Sequence, residues 1–322
     1  MEIYFAPMEG MTPPLLRSLH NEFFGGCDKY FTPFISTNEN YSLNQKEKKE
    51  IDPECNKGLN LVPQIISNSA EQSAGYILDI SEKYGYKEIN INMGCPSGTV
   101  VSKNKGSGML KDKQFLKAYL DELFSRLYEQ KERAVPDISI KTRIGFYSED
   151  EHVELTELFL AHPVKQIIIH PRSRTRMYEG STNMEAFSYM YDALKGAGIG
   201  VVYNGDIKTP EDYAKIADRY PDLDGVMIGR GLLRDPSLAR RIKGGKCVDN
   251  EEYLKYMEAL LDGYMQQIGI DNFVLAKMKD TWSFSAQAFS GNDKGRKEMN
   301  KADSVESYRV CMRQFIRNSK LL

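Results

Sequence analysis

The sequence predicts an α/β fold, a (β/α)8 TIM barrel followed by a C-terminal all-helical domain, and three observations carry that prediction. Eight short runs rich in apolar, β-branched and aromatic residues recur between residues 3 and 228, and most are followed by a one-sided helical stretch. After about residue 245 the strand signal stops and only helical patterns follow. The chain's 322 residues, 41% of them hydrophobic, suffice for a barrel core and one further module, which excludes a disordered chain or a miniature scaffold.

The runs are residues 3–8, 30–34, 61–66, 89–93, 138–144, 166–170, 201–204 and 225–228. Helical periodicity fills 69–84, 113–131, 151–160, 184–194 and 211–218. Helix starts support this segmentation: Ser69 with Gln72, Ser148 with Glu151 and Thr209 with Asp212 carry a side-chain acceptor followed three residues later by an acid or amide, and Pro210 suits a first helical position. The charged run 46–50 reads as a solvated loop or helix end. The barrel is assigned to residues 1–245 and the helical domain to 246–322, with helices at 251–267, 272–289 and 304–317 and a connection near 291–295.

In the last helix Val305, Tyr308, Met312 and Phe315 form a core-facing stripe, while Arg309, Arg313, Arg317 and Lys320 line another face. From residue 294 onward there are 8 Lys/Arg and 3 Asp/Glu, so this end is locally basic. Such a stripe is either a solvated helix face or a phosphate-binding one. Over the whole chain 43 Lys+Arg oppose 45 Asp+Glu, a formal charge of −2, so a polyanion would be met by local patches only.

Five cysteines, at 27, 55, 95, 247 and 311, make no CxxC pair and no zinc-like spacing with the four histidines, so no metal site is expected. A reducing, cytoplasmic setting follows from that usage. No leader-like segment opens the chain and no stretch approaches the roughly 18 apolar residues that cross a bilayer, so the expectation is a soluble, unprocessed protein without a membrane partner.

Chemistry in such barrels sits at the C-terminal strand ends. There the sequence places Met8-Glu9-Gly10, Gln64, Asn92 with Cys95, Lys141 with Arg143, His170 with Arg172, Asn204-Gly205-Asp206 and Gly229-Arg230. Buried cations and amides at one rim are costly unless a ligand matches them. The two glycine-containing ends read as tight turns or as a phosphate site. Together with Lys141 and His170 they favour a phosphorylated, planar anion such as FMN. No GxGxxG follows the first strand, so no Rossmann dinucleotide site is indicated. Cys95, in a Gly/Pro-shaped turn just past a strand end, is a candidate nucleophile or, mostly protonated at neutral pH, a proton donor.

These residues resemble the tRNA-dihydrouridine synthases along the whole chain. The resemblance is carried by Ala6-Pro7-Met8-Glu9-Gly10-Met11-Thr12, Asn92-Met93-Gly94-Cys95-Pro96, Lys105-Gly106-Ser107-Gly108-Met109-Leu110 and Ser139-Ile140-Lys141-Thr142-Arg143. His170-Pro171-Arg172-Ser173-Arg174, Asn204-Gly205-Asp206 and Gly225-Val226-Met227-Ile228-Gly229-Arg230 complete it in the expected order. The chain departs from the family pattern at Pro13-Pro14, at Pro171 and across the polar segment 38–60.

The resemblance implies an FMN enzyme that reduces the C5–C6 bond of a tRNA uridine, with NADPH as electron donor. It places Pro7, Met8, Gln64, Asn92, Lys141, His170, Asn204, Gly205, Asp206, Gly229 and Arg230 around FMN, and Asn92 also at the uracil. Cys95 is expected to protonate C5 opposite the hydride delivered to C6. The C-terminal helices, through Arg309, Arg313 and Arg317, are expected to dock the RNA. Arg172, Arg174, Lys103 and Lys105 are further candidates for its backbone. The competing readings are another FMN-dependent pyrimidine oxidoreductase, of the dihydroorotate dehydrogenase kind, a non-catalytic RNA-binding barrel, and the same chemistry on ribosomal RNA.

Overall fold

The computed structural model describes residues 1–129 and 132–322; the end of the expected 113–131 helix, at residues 130 and 131, lies outside them. One parallel sheet contains β1 (Glu2–Phe5), β2 (Lys29–Phe31), β3 (Ile35–Ser36), β4 (Leu61–Val62), β5 (Gln64–Ile66), β6 (Glu88–Met93), β7 (Asp137–Arg143), β8 (Gln166–His170), β9 (Gly200–Tyr203) and β10 (Gly225–Ile228). Their order is β3-β5-β6-β7-β8-β9-β10-β1-β2-β4.

These ten pieces are the eight expected strands. Pro33 and Pro63, which have no N–H to give a ladder, each split one strand in two. Because β4 and β5 are halves of one strand, the two ends of the order meet and the barrel closes. One side-chain and one backbone bond mend the break: the Gln64 N–H donates to Thr32 Oγ1 at 2.9 Å, and the Asn90 N–H donates to the Pro63 carbonyl at 2.9 Å.

Around the sheet lie α1 (Pro14–Phe23), α2 (Gln45–Ile51), α3 (Ala70–Tyr84), α4 (Gly98–Val101), α5 (Lys113–Glu129), α6 (His152–Leu160), α7 (Met184–Gly196), α8 (Pro210–Arg219), α9 (Arg230–Arg234) and α10 (Leu238–Ile242). The expected starts are present, with Ser69 accepting from the Gln72 N–H and reciprocal capping boxes at Ser148/Glu151 and Thr209/Asp212. Pro14 opens α1, so the departure at Pro13-Pro14 ends the first loop by starting a helix.

The run 46–50 is not a solvated loop but the body of α2. Asn44 and Glu47 close a capping box there, and Glu50 is buried against Arg17 at 2.9 Å. Arg17 also donates to the Thr12 carbonyl at 2.7 Å and to Asn56 Oδ1 at 2.8 Å, tying the first loop to α2.

Four helices follow: α11 (Asn250–Ile268), α12 (Asp271–Ser285), α13 (Asp293–Lys301) and α14 (Val305–Asn318). The region expected as a connection holds α13, capped by Asn292. The stretch expected to be helical to residue 289 ends at Ser285, and Phe289–Ser290 pairs antiparallel with Lys320–Leu321. Val305, Tyr308, Met312 and Phe315 are buried as their spacing predicts.

The core has two layers. Inside the barrel Tyr4, Ala6, Phe31, Val62, Ile168, Val202 and Met227 form one apolar cluster. The alternate residues, among them Ile3, Ile89, Ile138, Ile167 and Val226, join a larger cluster that continues through the helix layer into Trp282, Met312 and Phe315. The same alternation turns Glu88, Asn90 and Asn92 of β6, and Ser139, Lys141 and Arg143 of β7, into the barrel. One side of the interior is therefore apolar and the other polar.

Candidate active site

At the C-terminal ends of the strands opens a cleft of about 820 Å³, within the usual size of small-molecule and cofactor sites. Pro7, Met8, Gln64, Asn92, Cys95, Lys141, His170, Asn204, Gly205, Asp206, Gly229 and Arg230 all line it. Seven strands and the loops after them thus converge on one mouth.

Cys95 follows β6 directly, and its backbone is held from three sides. The Gly94 and Cys95 N–H groups donate to Asn92 Oδ1 at 3.1 and 2.9 Å. The Cys95 carbonyl accepts from the Ser107 N–H at 3.1 Å and its hydroxyl at 2.8 Å. Arg143 Nε donates to the Gly94 carbonyl at 3.0 Å. Gly106 enables this clamp: its φ is +58°, and a Cβ there would lie 3.0 Å from the Cys95 carbonyl oxygen. Burial pushes the Cys95 thiol above its ordinary value, against the lowering effects of a backbone bond at Ser97 and the charges of Lys141 and Arg143. A thiol so placed stays protonated at neutral pH.

The cleft is rich in cations. Lys141, Arg143, Lys208 and Arg230 line it, against the acids Glu9 and Asp206. Glu9 is paired with Lys46 at 2.9 Å, and Asp206 bridges Arg172 and Arg230. Lys141 makes no hydrogen bond among the described residues, and burial, aided by the Arg143 charge, lowers it to about 7. Burial and then the charges of Arg143, Lys141, Arg172 and Arg230 hold His170 well below the ordinary histidine value. Its Nδ1 is buried without a partner among the described residues. A half-buried lysine and a buried imidazole nitrogen, both without partners among the described residues, beside an excess of positive charge, fit an anionic ligand rich in polar atoms, and FMN is of that chemistry.

Two glycines of the cleft also serve its packing. A Cβ on Gly205 would fall 2.0 Å from the Tyr203 hydroxyl, so this glycine makes room for Tyr203. A Cβ on Gly229 would meet Met8 Sδ at 3.2 Å, which brings two pocket walls together. Asn204 is turned to the protein, donating to the Met227 carbonyl at 2.8 Å.

Of the residues expected at the RNA, Asn92 lines the cleft and the basic ones do not. Arg172 is only 1% exposed and donates to Asp206 and to the Gly180 carbonyl, so it braces the wall and cannot reach an RNA backbone outside. Arg174 lies over the Phe146 ring at 5.5 Å with its Nε buried. Lys105 Nζ donates to Ser36 Oγ at 2.9 Å, whereas Lys103 is exposed. On α14, Arg309 pairs with Asp262 and Arg313 with Glu258, both from α11, which neutralises much of the basic stripe; Arg317 is exposed.

The cleft also holds residues that strand-end reading misses. Tyr178 stands at the mouth with its ring 4.7 Å from the Arg230 guanidinium and 5.3 Å from that of Arg143. Phe284 reaches in from α12, so the C-terminal helices supply part of the wall. Neither carries a local signal: Tyr178 sits deep in an irregular loop, and Phe284 is one more apolar residue of an amphipathic helix.

A family model described as Dihydrouridine synthase (Dus) matches residues 4–319. The chain belongs to the dihydrouridine synthase family. It is 29% identical over 239 residues to the tRNA-dihydrouridine synthase B of Pasteurella multocida, covering 74% of this chain and 68% of that protein. It is 26% identical over 285 residues to the tRNA-dihydrouridine(16) synthase of Aquipseudomonas alcaligenes, covering 83% and 84%. Morphinone reductase superposes with a TM-score of 0.53 at 9% identity over 77% of this chain and 87% of that one, a likeness of fold. This dihydrouridine synthase is accordingly an oxidoreductase on a TIM barrel. Among its described residues no helix is long and apolar enough to cross a membrane, and no cluster of His, Cys, Asp or Glu could hold a metal ion.

Proposed function

We propose that this dihydrouridine synthase reduces the C5–C6 bond of a uridine in tRNA, using FMN in the strand-end cleft and NADPH as the source of electrons. The observation that carries the reading is that Cys95 lines the same cleft as Lys141 and as His170, whose Nδ1 is buried and unpartnered among the described residues. When bound, reduced FMN supplies the hydride that adds to uracil C6.

Lys141, His170, Gln64 and Asn92 would hold the flavin, and Arg230 and the chain at Gly229 would hold its phosphate. Pro7 and Met8 close one wall. Cys95 gives its Sγ proton to C5, and solvent restores it. Arg143, Asn92 and Ser107 keep the thiol fixed while this happens, which is an orientation effect rather than a new bond. Arg143 and Arg230 with Tyr178 present cationic and aromatic surface where a base enters.

A uridine in folded tRNA has to leave its stack to reach such a cleft, at a cost of a few kcal/mol that contacts elsewhere offset. Residues 246–322 are proposed as the docking module, with the exposed Arg317 among its cations, Lys103 of the barrel as a further contact and the cytoplasm as the setting. The names of the relatives support tRNA as the substrate. Mass spectrometry of nucleosides and mapped tRNA fragments, from cells with and without the gene, tests the proposal. Loss of dihydrouridine at one position supports it. Unchanged dihydrouridine in cells without a redundant enzyme would redirect the reading to ribosomal RNA or a small pyrimidine.

A further inference from the structure

The polar side of the barrel interior is one continuous row of hydrogen bonds. Asn92 Oδ1 accepts from the Gly94 and Cys95 backbones, and its Nδ2 donates to Gln64 Oε1 at 2.8 Å. Gln64 Nε2 donates to Asn90 Oδ1 at 2.7 Å, and Asn90 Nδ2 donates to Ser139 Oγ at 2.9 Å. The Ser139 hydroxyl donates to Glu88 Oε1 at 2.6 Å, and Glu88 Oε2 accepts from Lys29 Nζ at 2.7 Å. The row runs from the cysteine loop to the opposite end of the barrel.

Its direction is fixed from both ends. Backbone N–H groups can only donate and a carboxylate can only accept, so each amide between them has one allowed orientation. Turning any one amide sets donor against donor and acceptor against acceptor, in a buried place where each mismatch is costly. Asn90 is the central link: it is fully buried, does not line the cleft, and is the acceptor that orients Gln64.

We propose that Asn90 is a positioning residue for Cys95, acting through Gln64 and Asn92 and anchored by Ser139 and Glu88. The functional meaning rests on Cys95 as proton donor; the positioning itself does not. Asn90→Asp keeps an acceptor for Gln64, while its other oxygen competes with Glu88 for the single Ser139 hydroxyl proton. Asn90→Leu has similar size, no acceptor, and leaves Gln64 free to turn.

The test compares these two holoenzymes and Ser139→Ala with wild type in two assays. One is the pH profile of Cys95 alkylation by iodoacetamide, read by peptide mass spectrometry that separates the five cysteines. The other is turnover on tRNA, with thermal stability recorded alongside. The expected result is a wild-type alkylation profile and near-normal turnover for Asn90→Asp, despite a stability lowered by its buried carboxylate. Asn90→Leu should show faster alkylation and about tenfold lower turnover. Ser139→Ala should fall between Asn90→Leu and wild type. A merely structural role predicts the reverse, with the apolar variant tolerated and the acidic one damaged. Wild-type alkylation in both Asn90→Leu and Ser139→Ala, or losses that simply track stability, would overturn the proposal. Should Cys95→Ala turn over normally, the proton-donor reading falls, while the alkylation rates still report whether Asn90 positions the thiol.

Discussion

Lys141 gives the sharpest test of the cleft as an anion site, because its charge changes where it can be measured. Burial, with Arg143 beside it, brings the ammonium to about 7. An acceptor or anion placed against it favours the charged form, so the complex keeps a proton that the free protein loses on raising the pH. FMN affinity should therefore fall with pH. If only the charged form binds well, the bound-competent fraction drops from about three quarters at pH 6.5 to about 3% at pH 8.5, roughly a 25-fold rise in Kd. The second phosphate ionisation, near pH 6, lies below this window. Flavin fluorescence quenching on titrating apoprotein at three pH values measures the slope, and Lys141→Met should flatten it. A pH-independent Kd in the wild type, or the same slope in Lys141→Met, would refute the reasoning. The ligand-free protein should also gain stability as pH rises above about 7. Over that range the unfolded chain, with lysine near its usual value of about 10.4, holds a proton that the folded chain lacks.

Three further outcomes are expected. Cys95→Ala should retain flavin absorbance while product formation falls by about a hundredfold or more, as loss of a general acid does; wild-type turnover removes Cys95 from the chemistry. Glu50→Ala should cost about 3–5 kcal/mol in urea unfolding, because Arg17 is left charged and fully buried, whereas the double change Arg17→Met with Glu50→Leu should cost less than Glu50→Ala alone. Additive losses would show that the pair is not coupled. For RNA binding, Arg317→Ala should lower the salt slope by about one, and Arg313→Ala should change it little because Glu258 already occupies that guanidinium. The opposite order would mean that the α11–α14 ion pairs open in the complex.

The barrel was legible because its outward strand residues, such as Ile89, Ile91, Ile138 and Ile140, pack against helices whose caps are written locally in Ser69, Ser148 and Thr209. The split of two strands at Pro33 and Pro63 was also there to be read, since proline cannot supply a ladder N–H. What escaped was set by tertiary partners. Residues 45–51 look solvated because six of the seven are charged or amide-bearing, yet Arg17, 33 positions away, buries Glu50. The stripe on α14 has the right periodicity, but Asp262 and Glu258 on another helix take up two of its charges. At the cleft the strand-end rule finds Lys141, His170 and Asn92, since alternation alone turns them inward. It cannot find Tyr178 or Phe284, whose arrival depends on loop and helix placement.

The division of the barrel interior explains how one small enclosure can be both a core and a site. Tyr4, Phe31, Ile168, Val202 and Met227 fill one side with apolar volume that needs no partner. The other side carries amides, a hydroxyl and charges, each tolerable only if satisfied. From Glu88 up to Asn92 each side-chain amide nitrogen and the Ser139 hydroxyl has an acceptor within the protein, so the row holds together without a ligand while Gln64 and Asn92 keep a second N–H each. Just above it the pattern breaks, where Lys141 Nζ and His170 Nδ1 have no hydrogen-bond partner among the described residues. The boundary between satisfied and unsatisfied polar groups falls at the floor of the cleft. A bound anion with acceptors would remove that deficit, so ligand binding should stabilise the fold by more than its contacts with the apolar walls alone would supply.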